Sequence, residues 1–151
     1  MPYHSMSDDE LRAFLTSDPP HTGKLATVRA DGRPHVAPIW FAFDPDTTGD
    51  GLGDIVFQTG EDTVKGRTLR RDPRVSLCVD DETPPFSFVT VEGAVTISED
   101  LDEGRHWAAI IGGRYMGADR AEEYGARNGV AGELLVRLHP TRIVSAADLA
   151  G

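Results

Sequence analysis

The residues most able to do chemistry in this chain are basic, and they are crowded together. Lys65, Arg67, Arg70, Arg71 and Arg74 place five of the 15 Lys and Arg within one short segment of a protein whose formal charge is −10. An acidic background repels anions, so a cluster of this kind beside a strand end and a helix start points to a small phosphorylated ligand. Free backbone N–H groups and the positive end of a helix beginning around Asp62–Lys65 would add to the side-chain charge. The usual catalytic constellations do not occur: no GxSxG elbow, no GxxxxGK[ST] loop, no GxGxxG and no HExxH can be found. His4, His21, His35, His106 and His139 lack metal-ligand spacing, so no metal site is predicted. Hydrolysis by side chains is therefore disfavoured. If the protein is an enzyme, the reactive atoms belong to a bound cofactor that the protein orients.

Length and composition set the frame. At 151 residues and 16.4 kDa the chain reads as one domain, residues 1–151, able to bury roughly 70% of its unfolded surface without metal or disulfide. Cys78, the one cysteine, lies in an apolar strand and reads as a small core residue rather than a reactive thiol. Met1–Asp9 is polar and no apolar run approaches membrane-spanning length, so a soluble, cytoplasmic protein is expected. A sequence pI near 4.8 argues against a nucleic-acid or anionic-membrane partner, both of which need a net positive field.

The basic cluster must be positioned by its neighbours. Ile55–Thr59 reads as a strand, followed by a turn, a short helix ending at Asp72-Pro73 and a second strand over Arg74–Val79. Upstream, Ser7 to Glu10 has capping-box spacing and Leu11, Phe14 and Leu15 share a face, predicting a helix over Ser7–Thr16 that Asp18-Pro19-Pro20 ends. Gly23–Ala30 alternates, Asp31-Gly32 is a hairpin turn, and Pro34–Asp44 returns as the partner strand. Pro38 removes a ladder donor from that strand and predicts a bulge or local edge around Ala37–Trp40, a place for ligand contact. Asp44 to Gly51 has the look of a calcium loop, but Ile55 stands where a bidentate Glu is needed, which leaves a polar hairpin loop.

Downstream, Asp80–Pro85 is a turn and Phe86–Ser98 a long β-branched strand that Gly93 bends. Ser98 caps a predicted helix from Glu99 that buries Leu101, Trp107, Ala108, Ile110 and Ile111, and Gly112-Gly113 stops or kinks it. A more polar helix over Gly117–Ala126 precedes closing strands at Glu133–Leu138 and Arg142–Ser145. Six or seven strands in hairpin order with two or three peripheral helices predict a mainly β (α+β) protein, an antiparallel β-barrel with helical decoration.

Three segments carry a family resemblance: Leu25–Asp44 (LATVRADGRPHVAPIWFAFD), Thr63–Leu77 (TVKGRTLRRDPRVSL) and Phe86–Val95 (FSFVTVEGAV). Gly113–Gly117 and Leu134–Leu149 add a weaker fourth. In this order they resemble the pyridoxamine-phosphate-oxidase-like split β-barrel superfamily, and within it the deazaflavin (F420)-dependent oxidoreductases. Flavin-binding relatives carry FYTNxxSRKGxxL where this chain has Phe57-Gln58-Thr59-Gly60, Thr63-Val64-Lys65-Gly66 and Leu69. The resemblance implies contacts from Gln58, Thr59, Gly60 and Thr63, with Lys65 as the phosphate ligand and Arg67 as support. Val64 replaces the flavin oxidases' Arg and removes a bidentate phosphate contact, which weighs against FMN. The deazaflavin branch keeps the Lys and relaxes the Arg. Its coenzyme, F420, carries a phosphodiester and an acidic oligoglutamyl tail, which suits a spread of cations including Arg70 and Arg71.

By the same resemblance Ala37, Pro38, Ile39 and Trp40 form the bed for the ring, in agreement with the irregularity expected at Pro38. The superfamily forms homodimers with sites at the interface, so Phe86, Phe88, Arg114 and Tyr115 are expected from the partner chain. The implied activity is hydride transfer from reduced F420 to a small unsaturated or electrophilic substrate. The alternatives are an FMN-binding oxidoreductase and a non-catalytic protein that carries a flavin, deazaflavin or tetrapyrrole. No residue type singles out a proton donor.

Overall fold

The computed structural model describes residues 4–45 and 51–151. The elements run α1 (Asp8–Leu15), β1 (Gly23–Val28), β2 (Pro34–Ile39), β3 (Ala42–Pro45), β4 (Gly53–Gly60), α2 (Val64–Arg71), β5 (Arg74–Asp81), β6 (Ser87–Ser98), α3 (Leu101–Met116), a 3-10 turn (Ala118–Arg120), α4 (Ala121–Asn128) and β7 (Glu133–Ala146). Among the described residues there are thus seven strands and four α-helices, each helix falling on a segment read as helical from the sequence. All pairings are antiparallel, in the order β2-β1-β5-β6-β7-β4-β3.

The two ends of that sheet, β2 and β3, are consecutive in the chain and separated only by Trp40 and Phe41. Three peptide units reach about 11 Å at most. The sheet must therefore curl until its edges nearly meet, which makes it a barrel with an unpaired seam between β2 and β3. Alternate residues point inward and fill it: Leu25, Phe41, Ile55, Phe57, Leu77, Val89, Leu134, Val136 and Leu138 are essentially inaccessible. Leu11 and Leu15 of α1 join the same core. The capping box forms as expected, Ser7 Oγ accepting from Glu10 N at 3.2 Å and Glu10 Oε1 from Ser7 N at 3.1 Å.

Several elements differ from the sequence reading. Pro34–Asp44 is two strands, not one, because the chain crosses the seam at Trp40-Phe41. Of the bulge or local edge expected at Pro38, the structure has the edge without the bulge: Pro38 pairs in register with Lys24 on the edge strand β2, where proline is tolerated. Gly93 does shift the register, and β7 absorbs the change with Thr141, left over between the paired Pro140 and Arg142, so the two expected closing strands form one. The third helix is capped by Asp100 rather than Ser98, and it runs through Gly112-Gly113 to Met116. A Cβ on Gly112 would lie 2.1 Å from Tyr124 Cβ, so that glycine serves the close packing of α3 on α4 rather than a break. The hairpin loop expected from Asp44 to Gly51 falls at residues 46–50 outside the described residues.

Candidate functional site

β4 delivers the chain to the basic segment, and a tight turn starts α2. Thr63 is the N-cap, its hydroxyl accepting from Gly66 N at 3.0 Å and donating to Gly60 O at 2.8 Å. Thr59, 5% exposed, shares a hydrogen bond with the same hydroxyl at 3.0 Å. The two threonines thus hold the turn together. A Cβ at Gly66 would sit 2.2 Å from Gly60 O, so only glycine lets α2 start this close to β4. The amides of Val64 and Lys65, in the first turn of α2, have no partner among the described residues.

Lys65 is half-buried and turns into a cleft of about 210 Å³ lined by Pro38, Ile39, Trp40, Gln58, Ile111 and Asn128. Among the described residues its ammonium makes no ion pair and no hydrogen bond. The other cations of the segment are placed differently. Arg70 pairs with Glu99 at 3.1 Å, Arg71 donates to Val28 O at 2.6 Å, and Arg74 pairs with Asp72 at 2.9 Å. Arg74 holds the part-buried Asp72 carboxyl down to about 2. Arg67, two residues on from Lys65 in the same helix, is turned about 200° away from it and exposed. The cluster of five is therefore one cation facing a cleft, one in solvent and three tied to the fold.

The bed of the cleft comes from the seam. Trp40, 38% exposed, stacks on Tyr115 with ring centres 5.1 Å apart and planes 4° from parallel. Tyr115 Oη donates to His21 O at 2.7 Å and accepts from Phe41 N at 3.3 Å. Arg114 donates to Phe41 O at 2.7 Å and lies over the Phe41 and Tyr115 rings at 4.7 and 5.3 Å. Its Nε and Nη2 have no hydrogen-bond partner among the described residues, and the guanidinium rests on those ring faces. Burial holds the Arg114 guanidinium below its ordinary value and raises the Tyr115 phenol above its own. Both residues satisfy the backbone where the sheet is open. They serve their own chain's seam, which sequence reasoning did not anticipate.

Of the residues expected to bind the cofactor, Pro38, Ile39, Trp40, Gln58 and Lys65 come together. Ala37 is half-buried beside Leu25 on β2 and does not line the cleft. Phe86 and Phe88 line a separate hollow with Cys78, Asp80, Asp81 and Leu149. Cys78 is part-exposed rather than core. Ile111 and Asn128 were not foreseen as lining residues. Reading Gly112-Gly113 as a helix end hid the face of α3 that carries Ile111, and Asn128 showed only as a helix terminus before Gly129.

Larger hollows exist, including one of about 570 Å³ between Asp44 and Ile143, but its carboxylates Asp44 and Asp54 are already bonded to Arg137 at 2.7 and 3.2 Å. His139 in that hollow is already bonded to Asp54 at 3.0 Å and Thr96 at 2.9 Å. The smaller cleft pairs an unneutralised cation with free amides and an aromatic bed, a donor set suited to an anionic ring cofactor.

The chain belongs to the pyridoxamine 5'-phosphate oxidase family, whose model matches residues 7–145. It is 31% identical over 100 residues to the F420H(2)-dependent biliverdin reductase of Mycobacterium tuberculosis, covering 66% of this chain and 65% of that protein. The match thus spans just under two thirds of that relative. It is 33% identical over 126 residues to the 5a,11a-dehydrotetracycline/5a,11a-dehydrooxytetracycline reductase of Streptomyces rimosus, covering 82% of this chain and 72% of the other. A solved structure of a conserved hypothetical protein from Mycobacterium tuberculosis superposes with a TM-score of 0.79 at 29% identity, covering 95% of this chain and 86% of that one. The resemblance read from the three sequence segments and the barrel fold it implied are borne out.

Proposed function

We propose that this protein is an F420-dependent reductase acting on a small unsaturated or electrophilic molecule. The observation that carries the reading is the Lys65 ammonium, unpaired among the described residues, in a cleft bedded by Trp40. The M. tuberculosis relative named as F420H(2)-dependent supports it, as does the lack of a second cation lining the cleft among the described residues, which disfavours FMN. Lys65 Nζ would hold a phosphate oxygen, with the amides of Val64 and Lys65 at the start of α2 as further donors. Pro38, Ile39 and Trp40 bed the ring, and Ile111 keeps water from its edge. When bound, reduced F420 supplies a hydride, and the acceptor gains a proton in the same turnover. Thr59, Gly60 and Thr63 act through the turn, where Thr63 caps α2, Thr59 braces Thr63 and the bare Gly66 leaves room for the Gly60 carbonyl, while Gln58 lines the cleft. Arg67, Arg70 and Arg71 lie along α2 where the coenzyme's acidic tail would pass.

A cleft of about 210 Å³ is smaller than usual ligand pockets, so one chain supplies one wall and a second copy the other. The outer face of β1 and β2 suits that role: Val28 is 41% and Val36 67% exposed, next to Pro34 and Pro38. An apolar hollow of about 570 Å³ lined by Ala26, Val28, Pro34 and Ala94 continues the face. Phe86 and Phe88 then extend the homodimer contact. Among the described residues no helix is long and apolar enough to cross a membrane. We assign the cytoplasm as the compartment, where a reduced coenzyme is regenerated.

The test is turnover. The protein mixed with reduced F420 and a panel of quinones, enones and tetrapyrroles is expected to oxidise the coenzyme with at least one acceptor. Binding without turnover across the panel would favour a carrier, and tight FMN with no affinity for F420 would favour the flavin reading.

A further inference from the structure

The carboxamide of Gln58 stands in the cleft wall with its direction fixed. Its Nε2 donates to Gly104 O of α3 at 3.2 Å and to Asn128 O of α4 at 3.4 Å. A Cβ on Gly104 would lie 3.8 Å from that nitrogen, so the helix is seated closely on it. Both amide hydrogens are taken. Turning the group over would press Oε1 against two carbonyl oxygens, so the network itself assigns nitrogen and oxygen. Oε1 has no partner among the described residues, yet Gln58 lines the cleft beside Lys65 and Trp40. It can only accept. Asn128, at the end of α4, lines the same cleft, and its side-chain carboxamide is also without a partner among the described residues. Asn128 can both donate and accept.

We infer that Gln58 and Asn128 read a ring N–H flanked by a carbonyl: Gln58 Oε1 accepts the N–H and Asn128 Nδ2 donates to the neighbouring C=O. The inference rests on the coenzyme reading of this cleft, because the deazaflavin ring presents an imide of this kind at one edge. Gln58 then discriminates by hydrogen bonding. A ring whose imide nitrogen is alkylated leaves Oε1 unpaired in a half-buried site, the costly side of hydrogen-bond energetics. Asn128 contributes to affinity without sensing the substituted nitrogen. Gln58 also tethers two helices, so its recognition role must be separated from that tether.

The experiment is a fluorescence titration of the full-length protein with F420 and with F420 methylated at the imide nitrogen, in parent, Gln58→Ala and Asn128→Ala. The parent is expected to bind F420 at least about tenfold more tightly than the methylated form. Gln58→Ala is expected to bind the two with equal affinity, and Asn128→Ala to weaken both by a similar factor while keeping the preference. A tether alone would weaken both ligands equally in Gln58→Ala and leave the preference intact, which overturns the inference. Equal binding of both ligands by the parent overturns it while the coenzyme reading stands. A parent that binds neither ends both. Should Gln58→Ala fail to fold, the parent ratio and Asn128→Ala decide.

Discussion

Replacing Lys65 by Ala removes the one cation of the basic segment that faces the cleft. Because Lys65 has no carboxylate partner among the described residues, its loss strands no buried charge, and stability should change by less than about 0.5 kcal/mol. Binding should respond differently. A charge-assisted contact to a phosphate contributes about 1.5–3 kcal/mol, so the dissociation constant for F420 should rise roughly 12- to 150-fold. Arg67 offers the internal control. It is exposed and points away from the cleft, so Arg67→Ala should cost less than about 1 kcal/mol, and that cost should shrink in high salt. Fluorescence titration of coenzyme against parent and both variants, with thermal unfolding in parallel, reads out each number. Equal affinities for parent and Lys65→Ala, or a larger loss in Arg67→Ala, would refute the reasoning.

Two further outcomes test the assembly and the chain's pH dependence. Val36→Glu puts a charge on the most exposed apolar residue of the β1–β2 face and should turn a dimer into a monomer with an unchanged circular dichroism spectrum; a variant still dimeric by sedimentation removes that face from the contact. His4 is hydrogen-bonded to Glu10 at 3.1 Å and lies 3.7 Å from Asp148, and its pKa is raised from 6.5 chiefly by the Glu10 bond. Its stabilisation is therefore fully present below 6.5 and disappears as pH rises through the raised folded value. Urea unfolding of parent and His4→Gln should differ at about pH 5.5 and converge at about pH 8; a constant difference would exclude the histidine.

The parts of this fold legible in sequence are those set by local chemistry. The Ser7–Glu10 capping box, the Asp31-Gly32 hairpin and the Thr63-capped turn into α2 each depend on residues within a few positions of one another. The misreadings share a different cause. HVAPIWFAFD looks continuous because both of its strands face the same core, and the break at Trp40-Phe41 is enforced by Arg114 and Tyr115, more than 70 residues away. Gly112 reads as a helix end until Tyr124 is seen against it. The candidate site divides along the same line. Lys65 stands out in the basic segment, and Gln58 and the Pro38–Trp40 bed are implied by the family resemblance, whereas Asn128 and Ile111 reach the cleft only through the packing of α3 and α4. Charge density alone overstated the anion site, because Arg70, Arg71 and Arg74 answer to Glu99, Val28 O and Asp72.

A crystal structure of the protein with F420 bound tests the central claim most directly. The expected result has a phosphate oxygen within hydrogen-bond reach of Lys65 Nζ, the ring lying against Pro38 and Trp40, and a second copy of the chain closing the other side. A coenzyme seated in the hollow between Asp44 and Ile143, with Lys65 facing solvent, would contradict it.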